Sequence, residues 1–111
     1  MRRTLVAAVA AAALLGGCSS GPGSTTTTID ITVKGSTVTP NGDKVAVPVG
    51  KQLTLHVTAD KPGEIHVHSS PEHEFEYQAG TSDLHLTLDK PGVVEVESHT
   101  LDKTIVQLQA E

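Results

Sequence analysis

The chain has 111 residues, which leaves room for one small domain and a leader segment. It is acidic, with 13 Asp and Glu against 8 Lys and Arg, and both arginines, Arg2 and Arg3, lie at the extreme N-terminus. The rest of the chain therefore has six lysines against thirteen acidic residues, a net charge of −7 with neutral histidines. Such a surface argues against nucleic-acid binding and against a polybasic contact with anionic lipids, since both need clustered cations.

The N-terminal segment has the features of a targeting signal. Arg2 and Arg3 precede an apolar run from Leu5 to Leu15, which is too short to span a bilayer. The run ends in Leu15-Gly16-Gly17-Cys18, which resembles the lipobox of bacterial lipoproteins. That resemblance implies a signal peptide over residues 1–17 and acylation of Cys18, such as by palmitate. It also implies a membrane anchor on the extracytoplasmic side. The alternative is an ordinary secretory signal followed by a spare cysteine.

The residues after the leader divide into a tether and a folded part. Cys18 is the only cysteine, so its lipidation would leave no thiol for a disulfide or a metal. Residues 18–28 include a run of Ser, Gly, Pro and Thr without apolar side chains, which predicts a flexible linker. The folded domain is predicted over residues 29–111.

Apolar and polar side chains alternate with period two over most of residues 29–111, a pattern typical of strands with one buried face. Turn sequences containing Asn-Gly or Pro-Gly separate the alternating segments. No segment of helical length has a 3.6-residue period. The sequence therefore predicts an all-β sandwich with Greek-key connections. Its clearest alternating segments are Ile29–Val33, Val45–Val49, Leu53–Val57, Ile65–Val67, Leu84–Leu88 and Val94–Val96.

A histidine-rich stretch follows the Pro62-Gly63 turn. Ile65 and Val67 share one face of the predicted strand, and His66 and His68 share the other. Two neighbouring imidazoles on one face are within chelating reach of a single metal ion, but they also suit a solvated polar face. Both interpretations stay open from these residues alone.

The stretch has an internal counterpart later in the chain. Residues 60–69 match residues 89–98 as two Asp-Lys-Pro-Gly turns, each followed by an alternating strand. In the match, His66 falls on Glu95 and His68 on Glu97. Reuse of a good turn and strand explains most of this similarity. If the two strands are neighbours, imidazoles would face carboxylates across them.

Three segments together resemble the cupredoxin-like domains of bacterial secreted and lipid-anchored proteins. They are the run from Pro62 to His68, the run from Pro91 to His99, and Ile105-Val106-Gln107-Leu108. The resemblance extends over most of the region from Ile29 to Ala110. It implies a copper-protein fold, placement in the cell envelope and a role in handling metal.

The sequence departs from the cupredoxin pattern in the loop before the last strand. That loop, Glu97 to Lys103, contains His99 but neither Cys nor Met. Because a type 1 blue-copper site needs a Cys thiolate, we expect no such site. In the resembled fold this loop approaches the upstream histidines. The resemblance therefore implies a site formed by His66, His68 and His99, with Glu97 or His73 as further ligands, for copper or, as second choice, zinc.

The sequence leaves two alternative hypotheses for the function of the protein. The first is a lipid-anchored envelope protein that binds or buffers copper through these histidines. The second is a metal-free β-sandwich module that binds a protein partner in the envelope. We expect no enzyme, because Ser98 and His99 are adjacent on a strand and point to opposite faces. No phosphate-binding loop or nucleotide fingerprint is present in the sequence.

Overall fold

A computed structural model describes residues 26–111. The predicted signal peptide, Cys18 and most of the predicted linker lie outside the described residues. Within residues 26–111 no helix is long and apolar enough to cross a membrane.

Nine strands account for the secondary structure of residues 26–111. Alternation of β-branched or aliphatic residues with polar ones gives each long strand one buried and one exposed face. The strands are β1 (Thr27–Lys34), β2 (Thr37–Thr39), β3 (Asp43–Val47), β4 (Gln52–Ala59), β5 (Gly63–Val67), β6 (His73–Tyr77), β7 (Gly80–Thr87), β8 (Gly92–Ser98) and β9 (Lys103–Ala110).

The strands form two sheets that pack face to face. One sheet has the order β2-β1-β4-β7 and the other β3-β9-β8-β5-β6. Both sheets are mixed, because β1 pairs in parallel with β4 and β3 pairs in parallel with β9. The prediction of an all-β sandwich is confirmed.

Strand β1 begins at Thr27, two residues before the predicted start of the folded domain. Thr27 and Thr28 pair with Leu53 and Thr54 of β4. Two consecutive threonines do not show an alternation of apolar and polar residues. The predicted start of the domain therefore lies at Ile29, where that alternation begins.

The core fills the space between the two inner faces. Ile31, Leu55 and Val57 from one sheet are at most 1% exposed, as are Ile65 and Val96 from the other. Tyr77 is also buried, and Phe75 packs partly buried against the core. These two aromatic residues therefore pack in or beside the core.

Strand β5 lies between β6 and β8, and this placement organises the polar outer face of the five-stranded sheet. His66 is directly opposite Glu97 on β8 and Glu74 on β6. The two strands of the internal match are therefore neighbours. Because they are antiparallel, His66 faces Glu97 and not Glu95, with which it aligns in sequence. Imidazole does face carboxylate across the pair.

Candidate metal centre

His66 and His68 lie side by side on the outer face of the five-stranded sheet. His66 belongs to β5, and His68 extends the same ladder by donating its backbone N–H to the carbonyl of Glu95 at 2.9 Å. Their ring centroids are 4.2 Å apart with an angle of 33° between the ring planes. The side chains of His66 and His68 are 18% and 35% exposed. Both rings are thus held by the sheet while an ion from solvent can reach them.

Glu72 completes the group. Strands β5 and β6 form a hairpin that closes at the pair Val67 and His73, so the short loop between them turns back over the outer face. Within this loop the Ser69 hydroxyl donates to the carbonyl of Pro71 at 2.7 Å. The carboxylate of Glu72 consequently reaches both imidazoles.

The distances within this group suit one metal ion. His66 Nε2 is 3.1 Å from Glu72 Oε2, and His68 Nδ1 is 3.6 Å from Glu72 Oε1. Two ligand atoms bound about 2.0–2.1 Å from the same ion at 90–109° lie about 2.9–3.4 Å apart. The contact between His66 and Glu72 already has this separation, and the contact between His68 and Glu72 reaches it after a small shift of the side chains. Among residues 26–111, His66, His68 and Glu72 form the one group of three such ligands within 4.8 Å.

Two glutamates of β8 flank the group on its other side. Glu97 Oε1 is 3.4 Å from His68 Nε2, so both ring nitrogens of His68 face a carboxylate. Glu95 accepts a hydrogen bond of 2.6 Å from the Thr104 hydroxyl. This bond is the largest of the effects that hold the pKa of Glu95 below its usual value. A hydrogen bond with Glu97 and the charge of His68 lower the pKa further. The Glu95 carboxylate is therefore ionised at neutral pH.

Glu72 is ionised for a related reason. Its hydrogen bond with His66 is the main cause that lowers its pKa, and the contact with His68 adds to the effect. A divalent metal ion binds an ionised carboxylate and an imidazole nitrogen that carries no proton. Any proton still present on a ligand atom is released when the ion binds.

The outer face around the histidines is strongly negative. Strands β5, β6 and β8 contain no lysine or arginine. Six of the chain's seven glutamates lie on these strands or on the β5–β6 loop: Glu64, Glu72, Glu74, Glu76, Glu95 and Glu97. Carboxylates of one sign on one face raise the local concentration of cations. The electrostatic field at the two imidazoles therefore favours a metal ion.

His99 is placed elsewhere. It follows β8, is exposed, and donates its backbone N–H to the carbonyl of Glu64 at 3.0 Å. Glu64 precedes His66 on β5, whereas Glu72 arrives from the loop that follows His68. The structure brings His66 and His68 together with Glu72, and His99 is not a member of the group. The ligand role that the sequence assigned to His99 stays a prediction.

His73 lies on the other side of the sheet from His66. It pairs directly with Val67, a fully buried core residue, and directly opposed residues share one face. Its ring stacks on Phe75 with centroids 5.9 Å apart. Of the two further ligands that were predicted, Glu97 is adjacent to the histidine pair and His73 is directed away from it.

The two remaining histidines lie on the four-stranded sheet. His56 on β4 contacts Asp83 on β7, and His85 Nδ1 is 3.0 Å from the Thr54 hydroxyl. Each imidazole is thus satisfied by a cross-strand neighbour, as expected for a polar sheet face.

Sequence reasoning missed Glu72. The residue is adjacent to His73 in the sequence, but its ligand position depends on the hairpin register. A short Ser-Ser-Pro loop between two alternating segments was the available signal, because it predicts a tight return over the strand's outer face.

Comparison with solved structures gives the fold. The chain is similar to the Cu(I) form of an amicyanin mutant in which a methionine is replaced by alanine. The TM-score is 0.58 and the identity 12%, over 76% of this chain and 82% of that one. The fold is cupredoxin-like. A multicopper oxidase from Pediococcus acidilactici matches with a TM-score of 0.59 and 13% identity, over 78% of this chain and 26% of the oxidase chain.

Another amicyanin mutant, in oxidised form with a lysine in place of a methionine, matches with a TM-score of 0.55 and 15% identity. The match covers 78% of this chain and 82% of that one. No protein-family model matches the sequence, and no curated protein matches it. At these identities the similarity to solved structures establishes the cupredoxin-like fold.

The donor set of the candidate centre differs from that of a type 1 copper site. Residues 26–111 contain neither Cys nor Met, so the thiolate and thioether of a blue site are missing from the described domain. Strand β8 instead ends at the buried Ser98, whose hydroxyl accepts a hydrogen bond of 3.1 Å from the backbone N–H of Leu101 in the turn before β9. Two imidazoles and a carboxylate fit a divalent ion without thiolate chemistry.

Proposed function

We propose that the protein binds Cu(II) at His66, His68 and Glu72 and thereby buffers or carries copper. The observation that carries this proposal is the convergence of two imidazole nitrogens and one carboxylate within 4.8 Å on an acidic sheet face. Neutral imidazole and carboxylate are good Cu(II) ligands, and nitrogen and oxygen sites bind Cu(II) more tightly than Zn(II). Without thiolate or thioether ligands, the centre binds Cu(I) more weakly than Cu(II).

The test is calorimetric titration of the full, untagged chain with Cu(II) at neutral pH. We expect one saturable site per chain without intense blue colour. The double variant His66→Ala/His68→Ala should lose this site, because Glu72 would be the only one of the three ligand side chains left. The matched control is His56→Ala/His85→Ala, which also removes two imidazoles from a sheet face and should retain the site. Absence of a saturable site, or equal binding by the first variant, would contradict the proposal.

We also propose that the protein works at the outer surface of a cell membrane, anchored through Cys18. The support is the Leu-Gly-Gly-Cys sequence after an apolar run, together with a linker of small and polar residues. Metabolic labelling with palmitate should mark the wild-type chain, and Cys18→Ser should remove the label and release the protein from membranes. Membrane release of the wild-type protein by salt washing would count against a lipid anchor.

The second candidate function is an interaction module for a protein with a basic surface. The observation that favours it is the concentration of six glutamates on one face of the five-stranded sheet. This function predicts that Cu(II) and chelators leave the melting temperature of the protein unchanged, so thermal melting with and without Cu(II) separates the two candidates.

A further inference from the structure

A cleft opens beside the metal centre at one end of the sandwich. Its volume is about 520 Å³, and it lies between the β5–β6 loop and the connection from β7 to β8. Residues 68–71 and His73 form one wall, and residues 87–94 form the other. Its volume falls within the range of small-molecule sites, about 300–1,000 Å³.

The walls of the cleft combine an apolar surface with a cation. Val93 is 66% exposed and is the one large apolar side chain so exposed among residues 26–111. Pro71 and Pro91 line the cleft with it, and the neighbouring Lys90 and Asp89 add one positive and one negative charge to the same wall. An aqua metal ion would gain nothing from Val93 or from the two prolines. These residues suit an organic ligand that has both an apolar side chain and a carboxylate.

His68 connects the cleft with the metal centre, since it lines the first and belongs to the second. Cu(II) prefers four close ligands in a tetragonal arrangement, and the protein supplies three. At least one position is therefore open to a donor from outside the protein. The cleft is where such a donor can be held next to His68.

We propose that the cleft holds the organic part of a Cu(II) chelate, and that this chelate is an amino acid or short peptide with an apolar side chain. Its amino nitrogen takes the open fourth position and one of its carboxylate oxygens binds as a weaker fifth ligand, while its side chain packs against Val93, Pro71 and Pro91. The charge of Lys90 attracts the ligand's carboxylate. This inference rests on the proposed Cu(II) site and extends it from the bare ion to its carrier.

The test uses the full chain, Cu(II), and leucine or glycine as the amino-acid probe. Electron paramagnetic resonance of the bound Cu(II) should change when leucine is added, because an amino nitrogen joins the coordination sphere. In calorimetry the Cu(II)–leucine complex should bind about five- to tenfold more tightly than Cu(II)–glycine, because the leucine side chain buries apolar surface in the cleft. In Val93→Ser this ratio should fall toward one. Circular dichroism of the variant checks that it is folded.

Two outcomes would overturn the inference while leaving the proposed function intact. One is a Cu(II) spectrum that is identical with and without leucine, which would mean that the protein strips the ion from its carrier. The other is equal affinity for the leucine and glycine complexes. A chain that binds no Cu(II) at all would instead refute the proposed function, and this inference with it.

Discussion

Glu72 is the residue whose position decides the character of the metal centre. Each of its two carboxylate oxygens faces a different histidine, at 3.1 Å for His66 and 3.6 Å for His68. Its side chain is 61% exposed, so the pairing contributes little to folding stability. In the proposed copper site it would provide a negatively charged donor beside the two imidazole nitrogens.

Replacing Glu72 by Gln should weaken Cu(II) binding at least tenfold, because an amide oxygen is a poorer ligand and carries no charge. The measurement is calorimetry on the full chain. Glu76→Gln is the control, since it removes the same charge from β6 at a position opposite Glu64 and outside the ligand group. An equal loss of Cu(II) affinity in the two variants would show that Glu72 acts only through the electrostatic field of the acidic face and not as a ligand.

Tyr77 offers a second measurement at the residue scale, because the chain contains one Tyr and no Trp. Burial, with a smaller effect from the charge of Asp60, raises the pKa of its phenol above the usual value of 10.0. The neutral phenol is thus favoured in the folded state. The associated stability is fully present below pH 10 and is lost as pH rises through the raised pKa.

We expect the phenolate absorption band to develop at higher pH in the folded protein than in the chain unfolded by urea. The free energy of unfolding should fall over the same alkaline range. Tyr77→Phe should remove that part of the pH dependence. A folded-state titration at the usual tyrosine pKa would show that the phenol is open to solvent.

Strand β5 combines structure and function at the scale of one element. Ile65 and Val67 are fully buried, and His66 lies between them on the opposite face. The two faces are coupled, because a one-residue slip of β5 would exchange the core residues for the ligands. The core side chains therefore hold the histidines in register.

Ile65→Ala should lower the free energy of unfolding by about 2–5 kcal/mol, because the substitution leaves a cavity between the sheets. Ile65→Val should cost about 0.5–1.5 kcal/mol. Urea denaturation measures both. A loss below 1 kcal/mol for the alanine variant would contradict the packing described for β5.

At the scale of the whole molecule, we expect the acidic charge and the proposed metal centre to act together. The glutamates of the outer face repel one another in the folded state, and a bound cation reduces this repulsion. A ligand that binds only the folded state also stabilises it by mass action. Copper binding and thermal stability should therefore change together.

Free Cu(II) at 100 times its dissociation constant should add about 2.7 kcal/mol to the free energy of unfolding. For a domain of this size we expect the melting temperature to rise by about 10–20 °C. Calorimetric melting of the full chain, with and without Cu(II) or a chelator, measures the shift. His66→Ala/His68→Ala should show none. An unchanged melting temperature in the wild type would favour the metal-free interaction module.

The sequence by itself determined the fold class, because alternation between core and solvent is a local property that each strand records in its own residues. It placed His66 and His68 on one face for the same reason, and the absence of Cys and Met before β9 predicts that there is no blue-copper centre. Only the tertiary structure decided which strands are neighbours. Strand pairing and loop return depend on residues distant in the chain, so the structure brought Glu72 to the histidines and placed His99 beside Glu64.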